Sequence, residues 1–321
     1  MRFNPKRLLP VIGVVMFIAA IWVLKYEVQH FQWEDIRDYL SNIPAYRILA
    51  AVGLTGLLYI VLTGYDYMGS RYVGSQIAYR HVALASFLGY AFSHNISPSL
   101  VTGASARFRV YSHHGLTLMQ VTQIVGYCAL SLWVGFLFIG SIIFLFLPLS
   151  IPEDLGFPFE NLKIVGVIFL AVLIYYFTAS LKYRVPFKLW GTEFQLPTVR
   201  QILGQMTISS MDWIFSAGIL FLLLPSDSGI AFPLFVGIYM LGFMSGLLSQ
   251  VPGGLGVFET VVLLLLGPYL EADEALSSLL AFRALYFLLP LVIAAITLVI
   301  YETNQKKEIK KDEKAGSEDD I

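Results

Sequence analysis

The sequence predicts an all-α polytopic membrane protein with about six full spans and two re-entrant helical hairpins that enter from opposite faces. Three observations predict it. Of 321 residues, 57% are hydrophobic and only 13% charged, a balance far from that of soluble domains. Apolar runs near the length of about 20 residues needed to cross a hydrocarbon core recur along nearly the whole chain. Two further apolar runs are broken by polar residues, Pro or Gly, and bilayer interiors accept irregular backbone only where protein or a wet cavity satisfies it.

Taken in order, Arg2, Lys6 and Arg7 precede an apolar stretch over residues 8–24 that ends at Lys25 without a small-residue cleavage site. This reads as a retained first span rather than a removed signal peptide. Trp33, Ile36, Leu40 and Ile43 then recur at helical spacing, with Glu34, Asp35, Arg37 and Asp38 on other faces, as in a short helix at the membrane interface. Full spans follow at 48–65, 118–147, 164–180, 201–224 and 275–300. The two broken stretches are 82–101 and 232–266. In the loop between 181 and 200, residues 187–190 and 193–196 flank Gly191 and Thr192, which predicts a small β-hairpin. Residues 1–301 thus form one integral membrane domain. The segment 302–321 has mixed charge and few apolar anchors, which predicts a disordered charged cytoplasmic tail.

Charge placement orients these elements. If each broken stretch enters and leaves on one side, the amino terminus, residues 66–81, 103–115 and 181–200, and the tail all share a face. That face then holds 16 of the 21 Lys and Arg residues, which marks it, with both termini, as cytoplasmic. The opposite face receives Glu153, Asp154, Glu160, Glu271, Asp273 and Glu274. A full crossing of 82–101 alone would turn the basic 181–200 loop outward.

The residues that hydrocarbon rejects are the candidates for function. Residues 93–99 read Ser-His-Asn-Ile-Ser-Pro-Ser, and residues 102–109 add Thr, Gly, two Ala, Ser, Arg107, Phe108 and Arg109. Pro98 and Gly103 shape this loop. A half-helix ending there would present unpaired backbone groups, with Asn95 beside them and Arg107 and Arg109 placed to meet a phosphate. The plainer alternative is a surface loop with snorkelling arginines. The second cluster holds Pro252, Gly253, Gly254 and Gly256, which let the backbone turn sharply, followed by Glu259. Glu259 reads either as a cap near the start of the returning helix or as a site residue. Asp212, within a span beside Ser209, Ser210 and Trp213, and Arg283, within the last span, each need a partner or water at membrane depth. Arg283 with Glu259 is one pairing; Asp212 with a cytoplasmic arginine is another. Asp66, between Tyr65 and Tyr67 at the end of a span, reads as an interface anchor.

Other chemistry lacks its signature. HExxH, a P-loop, a Gly-x-Ser-x-Gly elbow and paired Cys/His sets are all missing, and a lone Cys128 offers neither disulfide nor thiolate site. No enzyme, metal, cofactor or nucleic-acid partner is therefore expected, and the sequence is silent on protein partners.

The run from Gly89 to Ser93, that from Arg107 to Ser112 with Gly115 and Leu116, and that from Pro252 to Glu259 together resemble the flippase-like membrane region of bacterial lysylphosphatidylglycerol synthases. Trp33–Glu34, the patch from Ser209 to Trp213 and the run Arg283 to Tyr286 resemble, in addition, free-standing YbhN-type inner-membrane proteins. The resemblance covers almost the whole chain. It implies a bacterial inner-membrane location and a lipid translocase whose polar groove binds a phospholipid headgroup. It withholds the synthase activity, because the soluble transferase part has no counterpart here. His94, Asn95 and Pro98 depart from the family pattern, which leaves the headgroup open. Arginines would hold the phosphate, and Glu259 or Asp212 a cationic headgroup or a proton. The alternative is a membrane scaffold that binds lipid or a partner without moving it.

Overall fold

The structure, a computed structural model, describes residues 43–96, 98–147, 162–182, 187–189, 192–226, 228–249 and 256–318. The first span, the interfacial helix at 33–43 apart from Ile43, and the turn residues Pro252, Gly253 and Gly254 lie outside them. The described chain is a helical bundle: α1 Ala45–Tyr72, α2 Tyr79–Asn95, α3 Ser99–Tyr111, α4 Leu118–Phe146, α5 Leu162–Lys182, α6 Val199–Leu223, α7 Phe232–Ser249, α8 Val257–Leu266, α9 Ala272–Phe282, a π-helical turn Arg283–Leu288, and α10 Leu289–Glu318. Six described segments are long and apolar enough to span: α1, α4, α5, α6, α7 and the continuous run Ala272–Gln305. Five of these coincide with spans read from sequence. The sixth, α7, is the first arm of a stretch read as a hairpin; its 18 residues give about 27 Å of helix, just under a hydrocarbon core.

Helix starts follow local rules. Thr117 and Thr198 each cap their helix in a Thr-x-x-Gln capping box with Gln120 and Gln201, so α4 and α6 begin where the side chains satisfy the first free N–H groups. α1 runs past Tyr65 because nothing breaks it before Gly74, whose φ of 72° only glycine adopts freely. The π turn has a visible cause. Pro290 cannot donate to Tyr286 and its ring crowds that carbonyl, so the preceding turn widens. Past Tyr301 the helix continues to Glu318 where composition predicts disorder; the apolar span nucleates it, and Gln, Lys and Glu propagate it well. The small hairpin forms with β1 Phe187–Leu189 antiparallel to β2 Thr192–Phe194, placing Thr192 opposite Leu189, in the strand and not in the turn.

Small residues bring the helices close, as lipid-embedded interfaces require. A methyl group on Gly135 of α4 would stand 2.0 Å from the Ser209 Cβ of α6, and one on Gly242 of α7 would stand 2.5 Å from Val262 of α8. The Ser209 hydroxyl donates to the Ser131 carbonyl across the first of these crossings.

Two helix pairs are hairpins. The α2 and α3 arms pack along each other. Their open ends are level: the Tyr79 hydroxyl lies 2.7 Å from Thr63 Oγ1, and the Tyr111 hydroxyl donates to Asp66, both near one end of α1. Their tip lies deeper, where His94 meets Tyr59 edge-on. The α7–α8 pair starts at the other end, where Phe232 packs on Phe221 at the end of α6. It reaches inward to Phe243 against Trp213, in the middle of α6. Both tips meet the π turn. Asn95 donates to the Phe287 carbonyl from one side, and Glu259 holds Arg283 from the other.

Candidate functional site

Asp66 is the first site residue that the fold creates. It is fully buried on α1 and accepts from Arg107 Nε at 2.7 Å and Nη2 at 2.9 Å, in a bidentate pair, with the Tyr111 hydroxyl as third donor at 3.1 Å. The guanidinium passes between α2 and α3 and lies 4.5 Å over the Tyr90 ring, a cation–π contact. Two glycines make its channel: a methyl on Gly89 would come 2.5 Å from Arg107 Nη1, and one on Gly103 would come 3.0 Å from it. Gly89→Ala is therefore expected to push the guanidinium out of its bidentate geometry. Lower thermal stability of the purified variant would show this; a wild-type value would mean the side chain re-seats freely.

Arg107 lines a cavity of about 400 Å³, within the range of small-molecule sites. Its polar lining comes from Tyr65, Tyr90, Ser93, His94, Asp212, Ser216, Tyr239 and Tyr286. Leu100, Trp133 and Leu248 also line it, yet they are 62%, 40% and 69% exposed, so the mouth opens sideways through an apolar rim on α3, α4 and α7. The two hairpins and the π turn build most of the polar wall; α4 and α6 close it.

The remaining candidates separate. Asp212 lines the cavity, but among the described residues no arginine reaches it: its oxygens accept from the Tyr65 hydroxyl at 2.9 Å and the Ser216 hydroxyl at 3.3 Å. Arg107 and Arg109 are already held by Asp66 and Glu302, so neither forms the expected pair with Asp212. Glu259 caps its helix and also forms the pairing with Arg283 that the sequence offered. One oxygen accepts from the Gly256 N–H at 2.8 Å, capping α8 at a φ of 78°, while the other pairs with Arg283. This pair stands behind Phe258 and Phe287, which do line the cavity. Asn95 lies outside the lining; it donates to the Ala91 and Phe287 carbonyls and fastens the α2 tip to the π turn. Arg109 also lies outside. It forms a bidentate pair with Glu302 of α10 and touches His113 at 2.8 Å, pinning α3 to the last helix. Pro98 stands at the boundary before α3 and lines the cavity.

Sequence reasoning placed Asp66 at an interface because hydropathy falls after Tyr65. The missing signal was the absence of a helix breaker before Gly74. Pro290 is the sequence signal for the widened turn that both tips meet, whereas the need for Gly89 shows only in the close approach of Arg107.

A profile of the lysylphosphatidylglycerol synthase TM region matches residues 11–294. The chain is 35% identical over 309 residues to uncharacterized protein slr0712 of Synechocystis, covering 96% of this chain and 95% of that protein. It is 31% identical over 304 residues to inner membrane protein YbhN of Escherichia coli, covering 94% of each. Similarity to the phosphatidylglycerol lysyltransferase of Staphylococcus haemolyticus is 24% over 315 residues, which takes in 89% of this chain but only 33% of that protein.

Proposed function

The chain belongs to the lysylphosphatidylglycerol synthase TM-region family and is a multi-pass membrane protein, and from that membership we propose that it is a phospholipid translocase without enzymatic activity. In this reading a headgroup enters the cavity through the lateral mouth while its acyl chains stay in lipid. The single observation that carries it is the union of an exposed apolar rim, Leu100, Trp133 and Leu248, with a polar interior at Arg107 and Asp212. A headgroup at mid-depth would otherwise face hydrocarbon, at a cost of several kcal/mol for each unsatisfied polar group. Hairpins reaching the same π turn from opposite ends give such a headgroup two gates, one toward each leaflet, if both are re-entrant in the bilayer.

Orientation follows from charge. Arg71, Arg80, Arg109, Lys182 and Arg200 cluster at the end where the α2–α3 hairpin opens, and Glu271, Asp273 and Glu274 lie at the other. We assign the basic end, with both termini, to the cytoplasm of a bacterial inner membrane. The test is reconstitution into liposomes carrying a fluorescent phospholipid in one leaflet. Protein-dependent movement to the other leaflet is expected. Saturable binding without movement would return the scaffold reading.

A further inference from the structure

Among the described carboxylates buried in the bundle, Asp66 faces Arg107 and Glu259 faces Arg283, and at the basic end Glu302 faces Arg109. Asp212 differs. Its partners are two hydroxyls, Tyr65 and Ser216, at a position 8% exposed on the cavity wall. A guanidinium partner can only donate, so it holds a carboxylate ionised. A hydroxyl can donate to the ionised form and accept from the protonated one. Both protonation states of Asp212 are therefore compatible with the same neighbours, and the cost of an unpaired charge at membrane depth falls away when the proton binds. We propose that Asp212 is the proton-binding site of the transport cycle, taking up a proton from the water of one side and releasing it to the other as the headgroup crosses.

The surroundings leave Asp212 free to act as the titrating group. Helix α1 turns Tyr59 and Tyr65 toward it, α4 turns Cys128 toward the cavity, α7 turns Tyr239, and the π turn Tyr286. Across the cavity stand Tyr90, His94 and Arg107, the last with its charge balanced by Asp66. Among the described residues, α5 and α9 bring no charged group to it. A metal cation fits poorly: hard divalent cations take about six or more oxygen ligands, and only two hydroxyls stand beside this carboxylate.

This inference rests on the translocase reading, so its test has one arm that needs no transport. In liposomes of phosphatidylethanolamine and phosphatidylglycerol with a fluorescent phospholipid, one proton per lipid would shift the steady leaflet ratio about tenfold for each unit of pH gradient. Asp212→Asn is expected to abolish the shift, and Asp212→Glu to retain part of it. Infrared titration of the purified protein should show a protonated carboxyl band that grows on acidification and is missing in Asp212→Asn. Lipid movement indifferent to a pH gradient, or driven by a sodium gradient instead, would overturn the proposal. So would identical infrared titrations of wild type and Asp212→Asn. A wild type that moves no lipid removes the translocase reading, and the infrared comparison then decides proton binding alone.

Discussion

Asp66→Asn is expected to be among the most damaging single changes in the chain. It strips the counter-charge from Arg107, which is 3% exposed and fixed between two glycines. A buried charge left alone costs about 3–5 kcal/mol in soluble cores, and hydrocarbon around the bundle gives it no better refuge. The Tyr111 hydroxyl also exchanges an ionised acceptor for a neutral one. The expected result is a large fall in unfolding temperature of the purified protein, together with loss of lipid translocation. Asp66→Asn combined with Arg107→Met should recover much of the stability, because both charges leave together, yet not the transport. Arg107→Lys should rescue poorly, since a point charge cannot reproduce the two-pronged contact to Asp66. An Asp66→Asn protein with wild-type stability would show that the pair is dispensable for the fold.

Glu259→Gln should be nearly as costly, and it separates the two roles of that residue. Gln at the third helical position can still accept from the Gly256 N–H, so the cap survives. What goes is the charge facing Arg283, which is 4% exposed. A helix cap is worth about 0.5–2 kcal/mol, less than an orphaned buried guanidinium. Glu259→Gln should therefore destabilise almost as much as Glu259→Ala. The double change Glu259→Gln with Arg283→Gln should recover folding in part. Strictly additive losses in that double-mutant cycle would mean the two side chains are not energetic partners. A mild Glu259→Gln beside a severe Glu259→Ala would make the cap the dominant role.

These two pairs illustrate what was legible. The Glu259–Arg283 pairing could be posed from sequence, because two charges inside apolar runs each demand a partner and few others were on offer. The Asp66–Arg107 pair could not, since Asp66 sat where hydropathy ends a span and its partners reach it only because α3 folds back along α2. The same blindness joined Arg107 and Arg109 as one phosphate clamp. They are two residues apart, about 200° around a helix, and their carboxylates lie on different helices, Asp66 and Glu302.

The sequence by itself determined the class of protein and five of the six described spans, and it marked the two stretches where Pro, Gly and polar residues break the apolar run. Each of these is a property of neighbouring residues, and hydropathy and turn chemistry act over a few positions. Only the tertiary structure decided which carboxylate neutralises which arginine. The partners are 24, 41 and 193 positions apart. That both hairpin tips converge on one π turn, and that Asp212 takes the Tyr65 and Ser216 hydroxyls as partners, follow from how close the small residues let the helices approach. Those distances belong to the packed bundle, where the cost of an unpaired buried charge selects one arrangement of partners.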